Sequence, residues 1–130
     1  MIPKFRVWLT DIDQMLRVKA LVFEKDKTRC FCGYSFDFYL EDENATIMQS
    51  TGLKDKNGRE IFEGDILACK TDDEVINLNI FWDEEHALFM FESKKYNEQE
   101  PLAELVEDNT YPFGIIGNIY ENRELLEDKK

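Results

Sequence analysis

The dipeptide Asn57-Gly58 is the feature of this sequence that most narrows how the chain can fold. Both residues tolerate the positive φ that a two-residue hairpin loop requires, so they predict a tight turn over residues 54–59. We expect the flanking apolar residues Leu53 and Ile61 to pack on either side of this turn. The segment is therefore predicted to be part of the architecture and not a binding or catalytic site.

The residues after the turn predict a bend that leads into the core. In Glu63-Gly64-Asp65 the glycine lets the chain kink, and the Asp65 side chain is suited to cap a local backbone turn. Ile66 and Leu67 follow directly and are expected to lie in a buried strand. This order of turn, bend and apolar strand is similar to the entry into small SH3-type barrels.

Short stretches of alternating or continuous apolar residues predict that strands dominate the rest of the chain. The predicted strands cover residues 5–9, 15–18, 30–40, 46–50, 66–69, 76–82, 87–91 and 111–121. The first two are expected to form a hairpin around Asp11 and Asp13, because aspartate side chains bond nearby backbone in turns. A second hairpin with aromatic and aliphatic cross-strand pairs is expected where the chain turns between 76–82 and 87–91. Gly114 and Gly117 predict a bulge or a close backbone approach in the last strand.

Residues 30–40 alternate and predict one continuous strand. Tyr34, Phe36, Phe38 and Leu40 would then share a face of that strand. The acidic residues 41–44 that follow predict a solvated loop.

Helix is predicted only near the C-terminus. Residues 92–101 are polar and predict a mobile loop, and 100–106 fits either one helical turn or an edge strand. Asn122 is expected to cap a short helix over residues 123–127. With six or more short strands and little helix, the sequence predicts a mainly β barrel or roll.

Length and composition indicate a single folded domain that stays in the cytoplasm. The chain has 130 residues and 43% hydrophobic residues, which is enough to bury a core without disulfides or metals. It contains no apolar stretch near the ~20 residues of a membrane span and no apolar signal-peptide segment at its start. Its three cysteines are an odd number and cannot complete a disulfide framework.

The charge of the chain makes direct binding to nucleic acid unfavourable. Sixteen basic residues stand against twenty-eight acidic ones, for a formal net charge of -12, which repels phosphates. A basic protein partner, a surface that imitates nucleic acid and simple solubility all fit this charge.

Four segments together resemble the YopX family of small phage and prophage proteins. They are FRVW near the start, TGLKDKNGREIFEGDIL, IFWDEE and the ending IIGNIYENRELLE, and they extend from residue 5 to residue 127. The family's ending usually has proline where this chain has Arg123, which weakens the start signal of the terminal helix.

The resemblance implies an SH3-type barrel-like β roll with an N-terminal hairpin extension and a short C-terminal helix. Residues 1–130 would form one domain, with an N-terminal β extension over 1–44 and a barrel-like core over 45–130. The resemblance also implies expression in the host cytoplasm. It implies no established enzymatic activity, and the family offers no catalytic residues to carry over to this chain.

Cys30, Cys32, Cys69 and His86 have the number and types of a zinc set. Structural zinc usually takes its paired cysteines from a knuckle with two to four residues between them, whereas Cys-x-Cys on a strand places two thiols on one face. The prediction is that the cysteines are small core residues and that the chain holds no metal or cofactor.

Clustered carboxylates raise the alternative of a metal-dependent nuclease or hydrolase. The clusters are Asp11 and Asp13; Asp72, Asp73 and Glu74; and Asp83, Glu84 and Glu85. Each lies in a predicted turn, where acids are favoured for backbone bonding and solvation. His86 has no nucleophile nearby in sequence, although a distant Cys69 is conceivable. An enzyme is therefore not predicted.

Aromatic and basic residues are also better explained by structure than by binding. The aromatic candidates for base stacking are Trp8, Trp82, Phe89, Phe91 and Tyr120. Stacking platforms normally accompany a basic groove, so core packing is predicted for them. Lys54, Lys56 and Arg59 lie on the predicted turn, where Asp55 and Glu60 are expected to offset their field.

The sequence thus predicts a non-catalytic protein-binding or regulatory module that uses an exposed strand edge or loop. The alternatives are an acidic nucleic-acid mimic that acts on a host protein, and a hydrolase that uses the clustered carboxylates. The expected partner is a protein, with no nucleic acid and no membrane, and homo-oligomerisation stays open.

Overall fold

Antiparallel strands dominate the computed structural model, which describes residues 2–33, 36–108 and 110–127. Strands account for 54% and helices for 14% of the structure, and a sheet curls into a half-barrel. The prediction of a mainly β protein with little helix is therefore confirmed. The SH3-type topology stays a prediction.

The strands and helices follow one another along the chain with short connections. The strands are β1 (Phe5–Leu9), β2 (Gln14–Arg17), β3 (Ala20–Phe23), β4 (Thr28–Gly33), β5 (Phe36–Tyr39), β6 (Ala45–Lys54), β7 (Glu60–Phe62), β8 (Asp65–Lys70), β9 (Val75–Asp83), β10 (Leu88–Ser93), β11 (Glu98–Pro101) and β12 (Phe113–Asn118). The α-helix α1 spans Leu102–Asp108, and 3₁₀ helices span Thr10–Ile12, Leu40–Asp42 and Arg123–Leu126. Within the described part of the chain, no helix has the length and apolar character needed to cross a membrane.

The chain divides into an N-terminal unit of residues 1–50 and a C-terminal unit of residues 51–130. The division falls inside β6, whose first six residues belong to the N-terminal unit and whose last four belong to the C-terminal unit. The expected division into parts 1–44 and 45–130 stays a prediction.

The N-terminal unit contains the predicted hairpin of β1 and β2. Val7 lies opposite Leu16 on β2 and opposite Ile47 on β6, so β1 is paired on both sides. A separate three-stranded sheet has the order β3-β4-β5. Val7, Leu9 and Cys30 form the buried centre of this unit.

The prediction of one continuous strand over residues 30–40 is wrong, because the segment is a hairpin. β4 ends at Gly33, whose φ of +95° is accessible to glycine and rarely to other residues. β5 then runs back along β4, with Cys30 opposite Phe38. The alternation of apolar residues continues across the turn and hides it. Tyr34 and Ser35 lie outside the described residues.

The C-terminal unit is built on a five-stranded antiparallel sheet in the order β11-β10-β9-β8-β12. The predicted hairpin of β9 and β10 is confirmed, with Trp82 opposite Phe89 and their ring centroids 4.9 Å apart. The predicted buried strand is β8, in which Ile66 and Leu67 are fully buried. The fully buried side chains of the core cluster are Ile61, Leu67, Ile80 and Leu102.

Residues 92–101 are not simply a loop, and this prediction needs correction. Glu98–Pro101 form β11, which pairs with β10 at the edge of the sheet and places Gln99 opposite Glu92. Its exposed polar side chains show no apolar alternation, so no pattern in this segment predicts a strand. The undecided segment 100–106 contains the end of β11 and the start of α1, which is anchored by the fully buried Leu102.

The C-terminal end agrees with the sequence in outline. The predicted bulge is present in β12, where the register shifts between Ile115 and Gly117. The predicted terminal helix is a 3₁₀ helix, Arg123–Leu126. Asn122 precedes it but forms no side-chain cap, which corrects that prediction, because its Oδ1 accepts the amide N–H of Asn118 at 3.2 Å instead.

Candidate functional site

The turn predicted around Asn57-Gly58 is confirmed, and the Asp55 side chain forms hydrogen bonds that hold it. Asp55 is only 6% exposed. Its Oδ1 accepts the amide N–H groups of Asn57 and Arg59, each at 2.9 Å, and its Oδ2 accepts that of Ile115 at 2.9 Å. The expectation that Asp55 mainly offsets nearby basic charge is therefore incomplete, because its carboxylate joins the turn to β12.

These hydrogen bonds also set the ionisation of Asp55. Burial acts to raise the pKa of this carboxyl, but the backbone N–H groups of Ile115, Arg59 and Asn57 outweigh burial and hold the pKa below its usual range. Asp55 is consequently charged at neutral pH in the folded protein.

The bend after β7 is also architecture. Gly64 adopts a φ of +83°, donates its N–H to the Ile80 carbonyl at 2.7 Å and accepts the N–H of Ile119 at 2.8 Å. The buried Asp65 caps the bend by accepting the Phe62 N–H at 2.8 Å. Both sequence predictions for this bend are confirmed.

The four candidate zinc ligands are divided between the two units of the chain. Cys30 and Cys32 lie in the N-terminal unit with their Sγ atoms 3.9 Å apart, and Cys69 is buried in the C-terminal unit. His86 lies on the exposed β9–β10 turn, where its Nδ1 is 2.7 Å from Asp83 Oδ2. Asp83, Glu85 and His86 do lie within 4.8 Å of one another by their ligand atoms, on an exposed turn.

The thiols are poorly suited to act as nucleophiles. Burial, together with the neighbouring Cys32 thiol, raises the pKa of Cys30 to about 12. Burial also raises the pKa of Cys32 and of Cys69. Because the thiolate is the reactive form of cysteine, these environments suppress reactivity near neutral pH.

The acid clusters lie in turns, as predicted, and several of their carboxylates hold local structure. Asp83 Oδ1 accepts the N–H of Glu85 at 3.0 Å. Glu74 accepts Lys95 Nζ at 2.5 Å and also the Tyr96 hydroxyl, and these bonds hold the pKa of Glu74 below its usual range. Such contacts give Asp83 and Glu74 structural partners within or near their turns.

Most of the aromatic residues that were candidates for base stacking are packed, as predicted. Trp8 is buried in the N-terminal unit, and Phe89 and Phe91 pack against the core of the C-terminal unit. Trp82 is 40% exposed, so the prediction of core packing holds only in part for it. The most exposed aromatic side chain of the described residues is a different one, Phe23, at 80%.

Phe23 borders a cleft in the N-terminal unit that the sequence did not predict. This cleft, called the basic groove below, has a volume of about 550 Å³ and is lined by residues 3–5, residues 17–21 and Phe23. Lys4, Arg17 and Lys19 are its charged residues, and its lining contains no carboxylate. The groove lining thus combines basic and apolar residues in a chain whose net charge is -12.

The strand β3 forms one side of the basic groove and is an end strand of its sheet. The Glu24 N–H bonds the Lys27 carbonyl at 2.9 Å, and Glu24 follows the pair Phe23↔Thr28 in the ladder. Because hydrogen-bonded and non-hydrogen-bonded pairs alternate between antiparallel strands, Phe23 belongs to a non-hydrogen-bonded pair. The backbone N–H and C=O groups of Phe23, and by the same alternation those of Leu21, therefore point away from β4.

The other side of this sheet is held by a network of polar contacts. Arg29 on β4 donates to the Tyr39 hydroxyl at 2.5 Å, and the hydroxyl donates to Glu24 at 2.8 Å. The Arg29 guanidinium also lies 4.9 Å from the Tyr39 ring centroid. These contacts connect all three strands or their ends and hold β3 in place as a preformed edge.

A smaller cleft of about 270 Å³ lies elsewhere in the N-terminal unit. Its apolar lining includes Ile12 and Phe36, and its acidic lining includes Asp11, Asp37 and Glu43. Asp37 already lies 3.8 Å from Arg29 Nη1. Among the acids predicted to lie in turns, Asp11 is thus also placed at the border of a cleft.

Charge is distributed unevenly along the chain. Residues 1–50 contain seven basic and eight acidic residues, whereas residues 51–130 contain nine basic and twenty acidic residues. Almost the whole net negative charge therefore belongs to the C-terminal unit.

The sequence contains a signal for β3, although no strand was predicted there. Ala20-Leu21-Val22-Phe23 is a short apolar run between Lys19 and the charged residues 24–27, which is typical of a strand followed by a turn. The groove itself has no sequence signal, because it requires residues 3–5 to approach residues 17–21.

Comparison with known proteins assigns the chain to a family. The family model described as YopX protein matches residues 4–127. The crystal structure of protein EF1440 from Enterococcus faecalis is 29% identical, with a TM-score of 0.64 over 98% of this chain and 99% of that one. The structure of protein yopX from Bacillus subtilis is 18% identical, with a TM-score of 0.65 over 95% and 98% of the two chains, and at that identity shows a shared fold. No curated protein matches the sequence.

Proposed function

The chain belongs to the YopX family, and from this premise we propose that it is a phage or prophage protein that acts as a non-catalytic protein-binding or regulatory module. It would have an SH3-type barrel-like β fold and would act in the host cytoplasm. The observation that carries the proposal is the preformed, outward-facing edge of β3.

An edge of this kind supports binding by strand addition. An extended segment of a partner pairs its backbone with the unpaired N–H and C=O groups of the edge, and side-chain contacts add specificity. Val22 is 44% and Phe23 80% exposed, so the edge is also apolar. Natural edge strands are usually blunted with charge or proline to prevent pairing, and β3 contains neither.

The chemistry of the reactive side chains supports a non-catalytic role. The cysteine thiols have raised pKa values, and the acid clusters lie in turns where some of them bond backbone and neighbouring side chains. A metal-dependent hydrolase predicts cleavage of nucleic acid or peptide with magnesium or manganese. Cleavage that is lost when one acid cluster is neutralised would replace this proposal with the enzyme.

The test uses proline at a position that changes only the outward edge. Phe23→Pro removes an N–H that points away from β4, so the β3–β4 hydrogen bonds are kept. Phe23→Ala is the matched variant, because it removes the aromatic ring and keeps the N–H. Leu88→Ala removes an exposed apolar side chain from β10, in the C-terminal unit, and controls for general stickiness.

Each variant is immobilised and exposed to host lysate, and the bound proteins are identified by mass spectrometry. We expect a protein that wild type and Leu88→Ala retain and that Phe23→Pro loses. A partner that binds Phe23→Pro as well as wild type contradicts the use of the β3 edge.

A second function, imitation of nucleic acid, is favoured by the charge of the C-terminal unit. Twenty acidic against nine basic residues in 51–130 provide an excess that a basic groove of a host protein would attract. Such a partner should dissociate as salt rises and should bind less well when Asp83, Glu84 and Glu85 are neutralised together. A partner that survives both changes excludes the mimic. A shift of duplex DNA by the purified protein at physiological salt contradicts both readings.

A further inference from the structure

We propose that the smaller cleft of the N-terminal unit, with a volume of about 270 Å³ and called the acidic cleft below, binds an exposed arginine side chain of a partner protein. Its lining shares no residue with that of the basic groove. Its aromatic residues lie on β5, at the other end of the sheet β3-β4-β5. The proposal therefore goes beyond the use of the β3 edge and does not depend on it.

Two carboxylates of the acidic cleft are available to a ligand. Asp11 and Glu43 are exposed and line the cleft, and neither forms a hydrogen bond or an ion pair with any residue that the structure describes. Asp37, the third acid of the lining, lies 3.8 Å from Arg29 Nη1 and already has a partner. Among the described residues of the lining there is no lysine, arginine or histidine. The negative charge that a ligand meets thus comes from Asp11 and Glu43.

The fold brings the segments that carry these two acids together. β1 pairs with β6 as far as Leu9, and one residue later the Thr10 N–H donates to the Asn44 carbonyl at 3.0 Å. Asp11 follows Thr10 and Glu43 precedes Asn44, so the two acids lie on neighbouring segments at the same end of the ladder. Like charges on neighbouring segments repel one another, and a bound cation removes that repulsion.

The apolar part of the lining specifies a cation with an apolar stem and a flat head. Leu9 is buried, whereas Ile12 and Phe36 are 55% and 42% exposed. The ring centroids of Phe36 and Phe38 lie 5.6 Å apart, so the cleft has two adjacent aromatic rings. The planar guanidinium of arginine stacks on aromatic rings and bonds carboxylates with two N–H groups at once. Its methylene groups pack on apolar surface.

Other cations fit the acidic cleft less well. Three ligand groups close together could hold a metal ion, and within the described residues Asp83, Glu85 and His86 form such a group whereas the acids of this cleft do not. The ammonium of lysine is more strongly hydrated than guanidinium and has no planar face. The volume of about 270 Å³ lies below the ~300–1,000 Å³ of most small-molecule sites. It therefore suits one side chain of a larger partner.

The experiment uses the full chain and capped peptides in which one arginine is flanked by alanines. Two comparison peptides replace the arginine with citrulline, which has nearly the same shape and no charge, or with lysine. Spermidine is the fourth probe, because it is a free polyamine and not part of a protein. Binding is measured from amide chemical-shift changes in NMR spectra, which also show that each variant is folded.

We expect the arginine peptide to shift the amide signals of residues 9–12, 36–38 and 43–44 in a saturable manner. It should bind at least about tenfold more tightly than the citrulline peptide at low salt. The lysine peptide and spermidine should bind more weakly than the arginine peptide, because neither has a planar group to stack on the rings.

The variants test the charges and the ring separately. Asp11→Asn with Glu43→Gln should weaken binding of the arginine peptide by about tenfold. Asp73→Asn with Glu84→Gln removes the same number of exposed negative charges from the C-terminal unit and should change the affinity by less than about twofold. Phe36→Leu keeps an apolar side chain without the ring and should bring the affinity for arginine close to that for lysine.

Several results would overturn the proposal. Equal binding of the citrulline peptide, or unchanged affinity after the Asp11 and Glu43 substitutions, would show that these carboxylates do not hold the ligand. Equal binding of the lysine peptide, or no effect of Phe36→Leu, would refute the assignment to arginine. Tighter binding of spermidine than of the arginine peptide, lost with the same two acids, would assign the cleft to a free polyamine instead.

The β3 edge is tested apart from the acidic cleft. Phe23→Pro should bind the arginine peptide as wild type does, because Phe23 is not in the lining of the cleft. Loss of arginine binding in this variant would contradict the separation of the two surfaces. Failure of the arginine peptide to bind wild type overturns the acidic cleft as a site and leaves the proposed use of the β3 edge to its own test with host lysate.

Discussion

Replacement of Asp55 by alanine is the sharpest test of how the C-terminal unit is held together. The carboxylate accepts three backbone N–H groups, two within its own turn and one from Ile115, sixty positions away. Alanine removes both acceptor oxygens, and with them all three hydrogen bonds, and leaves the backbone free to adopt the same turn. The measured loss of stability therefore reports the contribution of the Asp55 carboxylate and not that of the other turn residues.

The expected decrease in the free energy of unfolding depends on how exposed the three N–H donors are. A hydrogen bond to a charged group contributes roughly 1.5–3 kcal/mol, and a buried donor left without a partner costs about 1–3 kcal/mol. The amides of Asn57 and Arg59 belong to exposed residues that water can reach, whereas Ile115 is half-buried. We therefore expect Asp55→Ala to lower the free energy of unfolding by about 3 kcal/mol, below the sum of three full bonds.

The effect should depend on pH in a defined direction. Because the pKa of Asp55 is lower in the folded state, its charge stabilises the fold fully above the unfolded pKa of about 3.9. This contribution is lost as pH falls through the folded pKa. The difference between wild type and Asp55→Ala should thus be constant near neutral pH and shrink below about pH 4.

The assay is urea unfolding followed by the fluorescence of Trp82, with Trp8→Phe as the background so that only the C-terminal unit reports. Asp55→Asn should lose less than alanine, because one amide oxygen still accepts in the turn. Asp73→Ala removes an exposed carboxylate from another turn and should change stability by less than about 0.5 kcal/mol. If Asp55→Ala matches Asp73→Ala, or if its loss persists unchanged at pH 2, the carboxylate does not play the role assigned here.

Four further predictions concern two glycines, the Cys30 thiol and zinc. Gly64→Val should destabilise the fold by roughly 1–3 kcal/mol because of the positive φ, and an unchanged midpoint in denaturant melts would contradict this. Gly117→Ala places a Cβ in steric overlap with Asn122 Oδ1, so it should lower the free energy of unfolding by about 1–3 kcal/mol, and a cycle with Asn122→Ala should recover part of that loss. Cys30 should react with a disulfide reagent far more slowly in the native than in the unfolded protein. Metal analysis of the purified protein should find no zinc in proportion to the chain. One equivalent of zinc per chain that is lost with Cys30→Ser would show a zinc site.

Local signals in the sequence were sufficient for the hairpins and bends that depend on them. The turn at Asn57-Gly58 and the bend at Gly64 are set by residues adjacent in the chain, and both are confirmed. The turn is built differently from the prediction, however, because Gly58 adopts a positive φ and Asn57 does not. The Asp55 side chain supplies bonds that a two-residue loop would not need.

Features that depend on distant residues could not be read from the sequence. The hydrogen bond from the Ile115 N–H to Asp55 spans sixty positions, and no local pattern predicts it. β11 was missed because an exposed edge strand needs no apolar alternation, and the turn at Gly33 was missed because the alternation continues through it. The basic groove is a further case, since its lining forms only when Lys4 approaches Arg17 and Lys19.

The net charge of the whole chain is a poor guide to the charge around this groove. At physiological ionic strength the field of an exposed charge is screened within about 8 Å, so a bound carboxylate responds mainly to the charges of its own site. The formal charge of -12 therefore opposes long polyanions, which must cross several screening lengths of acidic surface, and has a weaker effect on a segment of four or five residues. The charged residues that line the basic groove are Lys4, Arg17 and Lys19, which differ in sign from the net charge of the chain. The net charge of a chain and the charge of one groove can thus differ in sign, and a short and a long ligand sample the charge of a protein over different lengths.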